Sequence, residues 1–363
     1  MRLAFCALVP VAVAACSSSS GPYAEPIINK QADDPCDPGS VGTSGGSLPP
    51  VDAGSVPVTL PGASPGIGFD DVRFSATLSQ ILVPAGRTGN FDFVDPSAEV
   101  AAPVGGFASS PTYSGDDSFG ATSADEGGGV VYVTDRTNKT LTVIDGKQRK
   151  VVATAMLAAT PGYVRYVAPT NEVWVTEPAS NQIEIFALPM TEAMPPKSST
   201  VLSVPAAESL AIDPTSSMAF TNGASSTYAI DVSKRMVSGT WPNGCKTAHG
   251  LAVDSAHGWV MIACEAGLVS VLDEKTGKTI GGVTAGASLD QVSYDPTTLR
   301  LYVPSPTAAA MAVVHLDPKS GMPTILGSVD TTKGAHCVVA AGARELFVCA
   351  PAAGQLLFVN DPF

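Results

Sequence analysis

Seven polar or aromatic residues stand at corresponding places in this chain and could do chemistry together. Counted back from successive apolar strand cores, these positions hold Asp70, Asp117, Tyr163, Glu208, His249, Asp290 and His336. Asp117 aligns poorly, and the candidates for a ligand or metal site are Asp70, Glu208, His249, Asp290 and His336. Converging carboxylates and imidazoles could hold a divalent cation, which polarises a carbonyl group or activates water. The alternative is that these polar residues only line a water-filled channel between the repeated units of the fold. Each histidine would then be hydrogen-bonded to the backbone of a neighbouring unit.

Composition limits both the fold and the partners. The chain has 363 residues, 35 Gly, 30 Pro and a formal net charge of −13. So many helix breakers favour short strands separated by turns over long helices. Nucleic acid and anionic lipid surfaces both require clustered Lys and Arg, and the sequence has no such cluster, so neither is an expected partner.

The elements that must position the candidates are short repeated strands. Val130–Asp135 is a β-branched and aromatic run, and Leu141–Asp145 alternates after a polar turn, so the two predict neighbouring strands. Equivalent second strands are centred on Leu82, Tyr132, Trp174, Phe220, Met261, Tyr302 and Phe347. Their spacing of about 41–50 residues is typical of one four-stranded propeller blade per repeat. An Asp ends most third strands and is expected to accept hydrogen bonds from the following turn.

Seven repeats predict an all-β, seven-bladed propeller over residues 54–363. The last repeat ends after its third strand, so its sheet lacks an outer strand. The strand-like run 54–60 is expected to supply that strand and to close the ring, which removes an exposed edge. A pair of two-sheet sandwiches is the alternative architecture, which the regular period disfavours.

Two stretches resemble a known family. Tyr132-Val133-Thr134-Asp135, followed by the strand end Val143-Ile144-Asp145, is similar to the YVTN-repeat β-propellers. The stretch from Cys245 to Asp273 also resembles exported propellers of that group, with a Gly-Leu-Ala-Val-Asp strand and a Thr-Gly-Lys turn. The resemblance implies an exported bacterial propeller. Such propellers serve as binding scaffolds, cofactor platforms or lactonases, so the resemblance does not select a function.

The N-terminus predicts export and a lipid anchor. Residues 1–15 combine Arg2 with a short apolar run that is too short to span a bilayer. The run ends Val13-Ala14-Ala15-Cys16, which resembles the lipobox of bacterial lipoproteins and predicts lipidation of Cys16. Cleavage of an ordinary secretory signal nearby is the alternative. Ser17 after the cysteine implies the outer membrane in a Gram-negative source, and residues 16–53 are expected to form a disordered tether.

Four of the remaining cysteines predict two disulfides. Cys337 and Cys349 lie on consecutive strands of the last repeat, and the turn near Gly342 places them roughly opposite each other. Cys264 lies on the second strand of the fifth repeat, and Cys245 comes just before the first strand of that repeat. We therefore expect Cys337–Cys349 and Cys245–Cys264, as in an oxidising compartment. Four buried free thiols are the alternative, and Cys36 has no obvious partner.

The sequence favours a lipid-anchored extracytoplasmic binding or interaction module. Its ligand, an envelope protein, a glycan or a small molecule, would dock around the channel. The alternative is a lactonase-like hydrolase that uses a divalent metal at the channel mouth. A quinone- or haem-cofactor propeller is a third option, although no haem-attachment motif is present.

The metal hypothesis makes a direct prediction. Replacing His249 and His336 with Ala is expected to abolish metal binding, because imidazole nitrogens are strong ligands. The measurement is the metal content of periplasmic protein purified without chelators. Equal, near-zero metal in the wild type and in both variants would contradict a metal site.

Overall fold

A computed structural model describes residues 50–191 and 194–363. These residues form 28 strands and one short 3₁₀ helix, Pro178–Ser180, and none of the described helices is long and apolar enough to cross a bilayer. The predicted signal peptide 1–15, the lipidation site Cys16 and Cys36 lie outside the described residues.

The strands form seven four-stranded antiparallel sheets, each one blade. Blade 1 contains β2 (Arg73–Ser75), β3 (Gln80–Pro84), β4 (Thr88–Asp95) and β5 (Val100–Ser109). Blade 2 contains β6 (Ala121–Gly127), β7 (Val130–Asp135), β8 (Thr140–Asp145) and β9 (Lys150–Met156). Blade 3 contains β10 (Val164–Val167), β11 (Glu172–Glu177), β12 (Gln182–Ala187) and β13 (Lys197–Ser203). Blade 4 contains β14 (Ala211–Asp213), β15 (Met218–Asn222), β16 (Ser226–Asp231) and β17 (Met236–Pro242).

The last three blades follow the same order. Blade 5 contains β18 (Ala248–Asp254), β19 (Trp259–Cys264), β20 (Leu268–Asp273) and β21 (Thr279–Thr284). Blade 6 contains β22 (Ser293–Asp295), β23 (Arg300–Ser305), β24 (Ala310–Leu316) and β25 (Pro323–Asp330). Blade 7 contains β26 (Val338–Gly342), β27 (Glu345–Ala350), β28 (Gln355–Asn360) and, as its outer strand, β1 (Val56–Thr59).

The seven sheets close into a ring around one axis. The first strand of each blade is innermost and contacts the first strands of both neighbouring blades, including β26 of blade 7 with β2 of blade 1. The outer strand β1 pairs antiparallel with β28, so that Val58 lies opposite Leu356. The predicted seven-bladed propeller is therefore confirmed, and so is its closure by the strand-like run near residue 56.

Ordered contacts begin before this closing strand. The amide of Val51 donates to the carbonyl of Ser328 at 2.8 Å, and the carbonyl of Val51 accepts from Asp330 at 3.1 Å. Val51 thus forms a parallel bridge to Val329 on the outer strand of blade 6. The chain is therefore attached to blade 6 through Val51 and to blade 7 through β1.

The apolar core is divided into seven clusters, one at each interface between neighbouring blades. The cluster between blades 7 and 1 contains Val58, Ile67, Phe69 and Phe347. Trp174 and Tyr302 are fully buried in the clusters between blades 3 and 4 and between blades 6 and 7. Because both faces of a blade pack on neighbours, the second and third strands are apolar on both sides.

A polar residue at the end of the second strand ties several blades to the preceding blade. The carboxylate of Asp135 accepts the backbone N–H of Ala108 at 2.7 Å, and that of Glu177 accepts the N–H of Ala159 at 2.7 Å. In blade 6 the hydroxyl of Ser305 accepts the N–H of Ala287 at 3.0 Å. The final position of the Tyr-Val-Thr-Asp motif thus makes an inter-blade contact.

The aspartates that end third strands cap the following turns, as expected. Asp95 accepts the N–H groups of Ser97 and Ala98 at 2.9 Å. Equivalent turn bonds go to Asp145, Asp231, Asp273 and Asp317. These carboxylates have structural partners, which accounts for their repetition.

Both predicted disulfides are present. Cys245 and Cys264 are joined with a Cα–Cα distance of 5.3 Å, and Cys337 and Cys349 with a Cα–Cα distance of 5.5 Å. Cys245–Cys264 connects the segment before β18 to the end of β19. Each bridge closes a short loop, for which loop entropy predicts a stabilisation of about 3 kcal/mol.

The closing strand makes a testable contribution to stability. Val58 is 1% exposed and Val56 on the same strand is 43% exposed. We expect Val58→Ala to lower the free energy of unfolding by about 2 kcal/mol, because it removes buried methyl groups from the interface between blades 7 and 1. Val56→Ala is the control and should change it by less than about 0.5 kcal/mol. Equal effects in urea denaturation would contradict the role assigned to β1.

One buried carboxylate in blade 1 has no partner. Asp92 on β4 is fully buried, and neither of its carboxylate oxygens has a hydrogen-bond partner. Burial raises the pKa of Asp92 from 3.8 to about 7. The folded state therefore binds this proton more tightly than the unfolded state does.

This shift predicts an unusual pH dependence. Because its pKa is higher in the folded state, the protonation of Asp92 stabilises the fold, and this contribution is complete below about pH 4. As the pH rises to about 7, the free energy of unfolding loses this contribution, which amounts to up to about 4 kcal/mol. Asp92→Asn should therefore raise the free energy of unfolding by roughly 2–4 kcal/mol at pH 8 and change it little at pH 4. Asp95→Asn is the control with the opposite sign, because turn hydrogen bonds lower the pKa of Asp95. Urea denaturation at several pH values checks this, and a variant no more stable than the wild type at pH 8 would contradict it.

Candidate functional site

The strand register defines one ring of residues at the mouth of the central channel. In each blade, one residue of the inner strand pairs with the middle of the second strand, as Arg73 pairs with Leu82. The residue three positions earlier lies at the start of the inner strand or just before it. Around the ring these mouth residues are Asp70, Thr122, Gly162, Glu208, His249, Asp290 and His336.

The five candidate ligand residues predicted from the sequence occupy this ring, but Asp117 and Tyr163 do not. Tyr163 lies one position further along the chain, where blade 1 has Asp71. Blade 2 joins its first two strands by the two-residue turn Gly128-Gly129, both with positive φ, so a fixed count back from the second strand overshoots Thr122. Asp117 lies in the connection that precedes blade 2.

Blades 1 and 2 form a paired half of the mouth. Arg136, in the turn after β7, contacts Asp70 at 2.7 Å and Asp117 at 3.4 Å. Its guanidinium also donates to the carbonyl of Pro161 at 3.1 Å. Burial raises the pKa of Asp70 well above its usual value, and Arg136 opposes this only in part. The carboxylates on this side therefore already have a cationic partner.

Blades 4, 5 and 6 form an unpaired half. Among the described residues, the side chains of Glu208, His249 and Asp290 make no hydrogen bond or ion pair. Burial raises the pKa of Glu208 and of Asp290. His249 opposes this shift in the pKa of Glu208, and His336 and then His249 oppose it in the pKa of Asp290. Gly250 lets blades 5 and 6 approach closely, since a Cβ there would lie 2.2 Å from the carbonyl oxygen of Asp290. Three half-buried polar groups thus face the mouth without protein partners.

His336 is bonded to the backbone through both ring nitrogens. Nδ1 lies 2.7 Å from the carbonyl oxygen of Gly334, and Nε2 lies 2.7 Å from that of Phe69 in blade 1. A neutral imidazole can donate only one of these bonds, so both are formed only by the imidazolium. The contact with Phe69 matches the alternative to a metal site, in which a channel histidine is bonded to the backbone of a neighbouring blade.

The mouth carboxylates and imidazoles are spread too widely to form a compact metal cluster. In the described part of the chain, the only three candidate ligand atoms that lie within 4.8 Å of one another belong to His336, Cys337 and Cys349. Both cysteines are in a disulfide, and both nitrogens of His336 are bonded. A metal at the mouth therefore stays a prediction that requires side-chain movement.

A second polar layer lies one residue deeper in the channel. The buried carboxylate of Asp71 accepts two bonds from Arg165, at 2.5 and 3.0 Å. It also accepts the hydroxyl of Ser123 at 2.5 Å and the amide of Gln291 at 3.0 Å. These four residues come from blades 1, 2, 3 and 6, so this network joins opposite sides of the channel.

Arg136, Asp71 and Arg165 were not among the site residues expected from the sequence. Arg136 and Arg165 are separated from their acidic partners by 66 and 94 residues. The only sequence signal was that Asp71 directly follows Asp70. The pairings depend on the arrangement of the blades around one axis, which places the residues just before the inner strand of blade 1 beside side chains of blades 2 and 3.

Comparisons with known proteins show the fold and leave the function open. No family model matches the chain, and no curated protein matches it. A chain of hydrazine synthase from Kuenenia stuttgartiensis is 13% identical with a TM-score of 0.66, and the match covers 82% of this chain and 96% of that one. A chain of the mitotic checkpoint complex is 14% identical with a TM-score of 0.67, covering 89% and 99%. At such low identities the likeness concerns the propeller fold alone, and YVTN-repeat membership stays a prediction.

Proposed function

We propose that this chain is a lipid-anchored extracytoplasmic binding module that recognises a positively charged group at the mouth of its propeller. The propeller supplies a rigid ring of loops around one axis, a suitable platform for a ligand. The two disulfides support an oxidising compartment. The lipid anchor rests on the sequence around Cys16, and the outer membrane on Ser17.

The observation that carries this proposal is the unpaired half of the mouth. Glu208 and Asp290 lie on either side of His249 in neighbouring blades, and none of the three has a protein partner among the described residues. Asp70, a carboxylate of the same ring, does have a partner, which is the guanidinium of Arg136. A cationic group of a ligand would form the same kind of ion pair with Glu208 and Asp290, and this would offset the free-energy cost of burying their charges.

The spacing favours an organic cation over a bare metal ion. The carboxylate and imidazole atoms of the mouth do not come within 4.8 Å of one another in threes. A guanidinium or ammonium group carries several N–H donors and reaches acceptors that are further apart. A partner protein that presents Lys or Arg, or a small amine, fits these acceptors. The hydrolase alternative would use the same groups around a metal, and the metal analysis separates the two hypotheses.

The test measures binding of a fluorescent tri-arginine peptide and of spermidine to the purified protein. We expect the double variant Glu208→Gln/Asp290→Asn to bind at least about 10-fold more weakly, since each charge-assisted hydrogen bond contributes about 1.5–3 kcal/mol. Binding should also weaken as the pH falls, because protonation removes the carboxylate charges, whose pKa values are raised.

The control variant separates recognition from the overall negative charge. Asp330→Asn/Glu345→Gln removes the same two charges at exposed positions away from the mouth ring. Its affinity should stay within about twofold of the wild-type value, because exposed charges are screened by salt. If the two double variants bind alike, or if neither probe binds the wild type, cation recognition at the mouth is wrong.

A further inference from the structure

A cavity of about 360 Å³ lies in the central channel below the mouth. Its wall is formed by inner-strand residues of blades 1, 3, 4, 5, 6 and 7, from Asp71 near the mouth to Tyr294 towards the other end. None of the mouth residues lines it. The volume is within the range of small-molecule sites, about 300–1,000 Å³.

The polar end of this cavity is electrically balanced. Asp71 accepts four hydrogen bonds, from Arg165, Ser123 and Gln291, and so uses the full acceptor capacity of a carboxylate. The Arg165 guanidinium neutralises its charge through the bidentate pair. Arg73, which also lines the cavity, is paired with Asp125 at 3.1 Å. A charged ligand would therefore find no unpaired counter-charge among these residues, whereas an uncharged polar ligand would need none.

Two polar groups at this end have no partner. Nε of Arg165 and Oε1 of Gln291 make no hydrogen bond, although the two residues are only 5% and 7% exposed. Both residues line the cavity. One is a donor and the other an acceptor, and buried polar groups are normally paired. The pair is complementary to a hydroxyl group, which accepts one hydrogen bond and donates another.

We propose that this cavity binds a small, uncharged, hydroxyl-rich molecule, a sugar or polyol. One hydroxyl accepts from Nε–H of Arg165 and donates to Oε1 of Gln291, after small side-chain rotations that turn both atoms towards the cavity. The remaining hydroxyls form hydrogen bonds with backbone groups of the inner strands. The edges of these strands that face the axis are not paired with another strand. The site is separate from the cation site at the mouth and does not depend on it.

Saturation-transfer NMR with methyl glucoside and with sorbitol tests the proposal on the full chain. Ala340 lines the cavity, so Ala340→Leu should fill part of it and weaken the signal at least about 10-fold. The control is Ala353→Leu, at an exposed position in a turn of blade 7, which should leave the signal unchanged. Ala252→Val narrows the cavity from blade 5 and replaces Ala340→Leu if that variant fails to fold.

A crystal structure of protein grown with either compound gives the second readout. The proposal requires ligand density that bridges Arg165 and Gln291. Ordered water alone at that position, or a transfer signal that is equally strong in the cavity variants, would overturn it. The mouth variant Glu208→Gln/Asp290→Asn should retain this signal, so failure of the cation proposal and failure of this one are distinguishable.

Discussion

The whole structure depends on closing the ring, because no blade can bury its own faces. Every apolar cluster lies between two blades, so an open end would expose one of the seven clusters completely. Closure is made by a segment distant in sequence, in which β1 pairs with β28 and Val58 enters the last interface. Phe69, just before the first inner strand, joins the same cluster and accepts a hydrogen bond from His336 through its carbonyl. Closure therefore also fixes one side of the mouth.

The mouth follows from this closed geometry. Because the inner strands share one register, a residue at the same position of each blade is directed to one ring. The chain uses that ring in two ways. Around blades 1 and 2 it balances the acids with Arg136, whereas around blades 4 to 6 it leaves Glu208, His249 and Asp290 without partners. Leaving carboxylates half-buried and unpaired costs stability, which is the usual condition of a site built for a ligand.

The channel below the mouth contains a second polar layer. The network around Asp71 draws on four blades and pairs this carboxylate with Arg165, so the charges that line the cavity on this side are paired, whereas part of the mouth is not. Proteins as different as hydrazine synthase and the mitotic checkpoint complex contain chains with a similar propeller. What distinguishes this chain is therefore the choice of side chains in these two layers and not the scaffold that carries them.

The amino-acid sequence was enough to predict the blade count, the closing strand, both disulfides and five of the mouth positions. These follow from local patterns, namely strand alternation, a repeat of regular length and cysteines on adjacent strands, so they can be read without knowing which blades meet. It misplaced Tyr163 by one residue and Asp117 by five. The short turn Gly128-Gly129 changes the count in blade 2 by two residues and so accounts for only part of the second error. Which polar groups are paired can be seen only in the folded chain. Arg136 with Asp70, Arg165 with Asp71 and His336 with the carbonyl of Phe69 join residues 66 to 267 positions apart. Such contacts depend on how side chains of different blades meet around the axis, which no local pattern encodes.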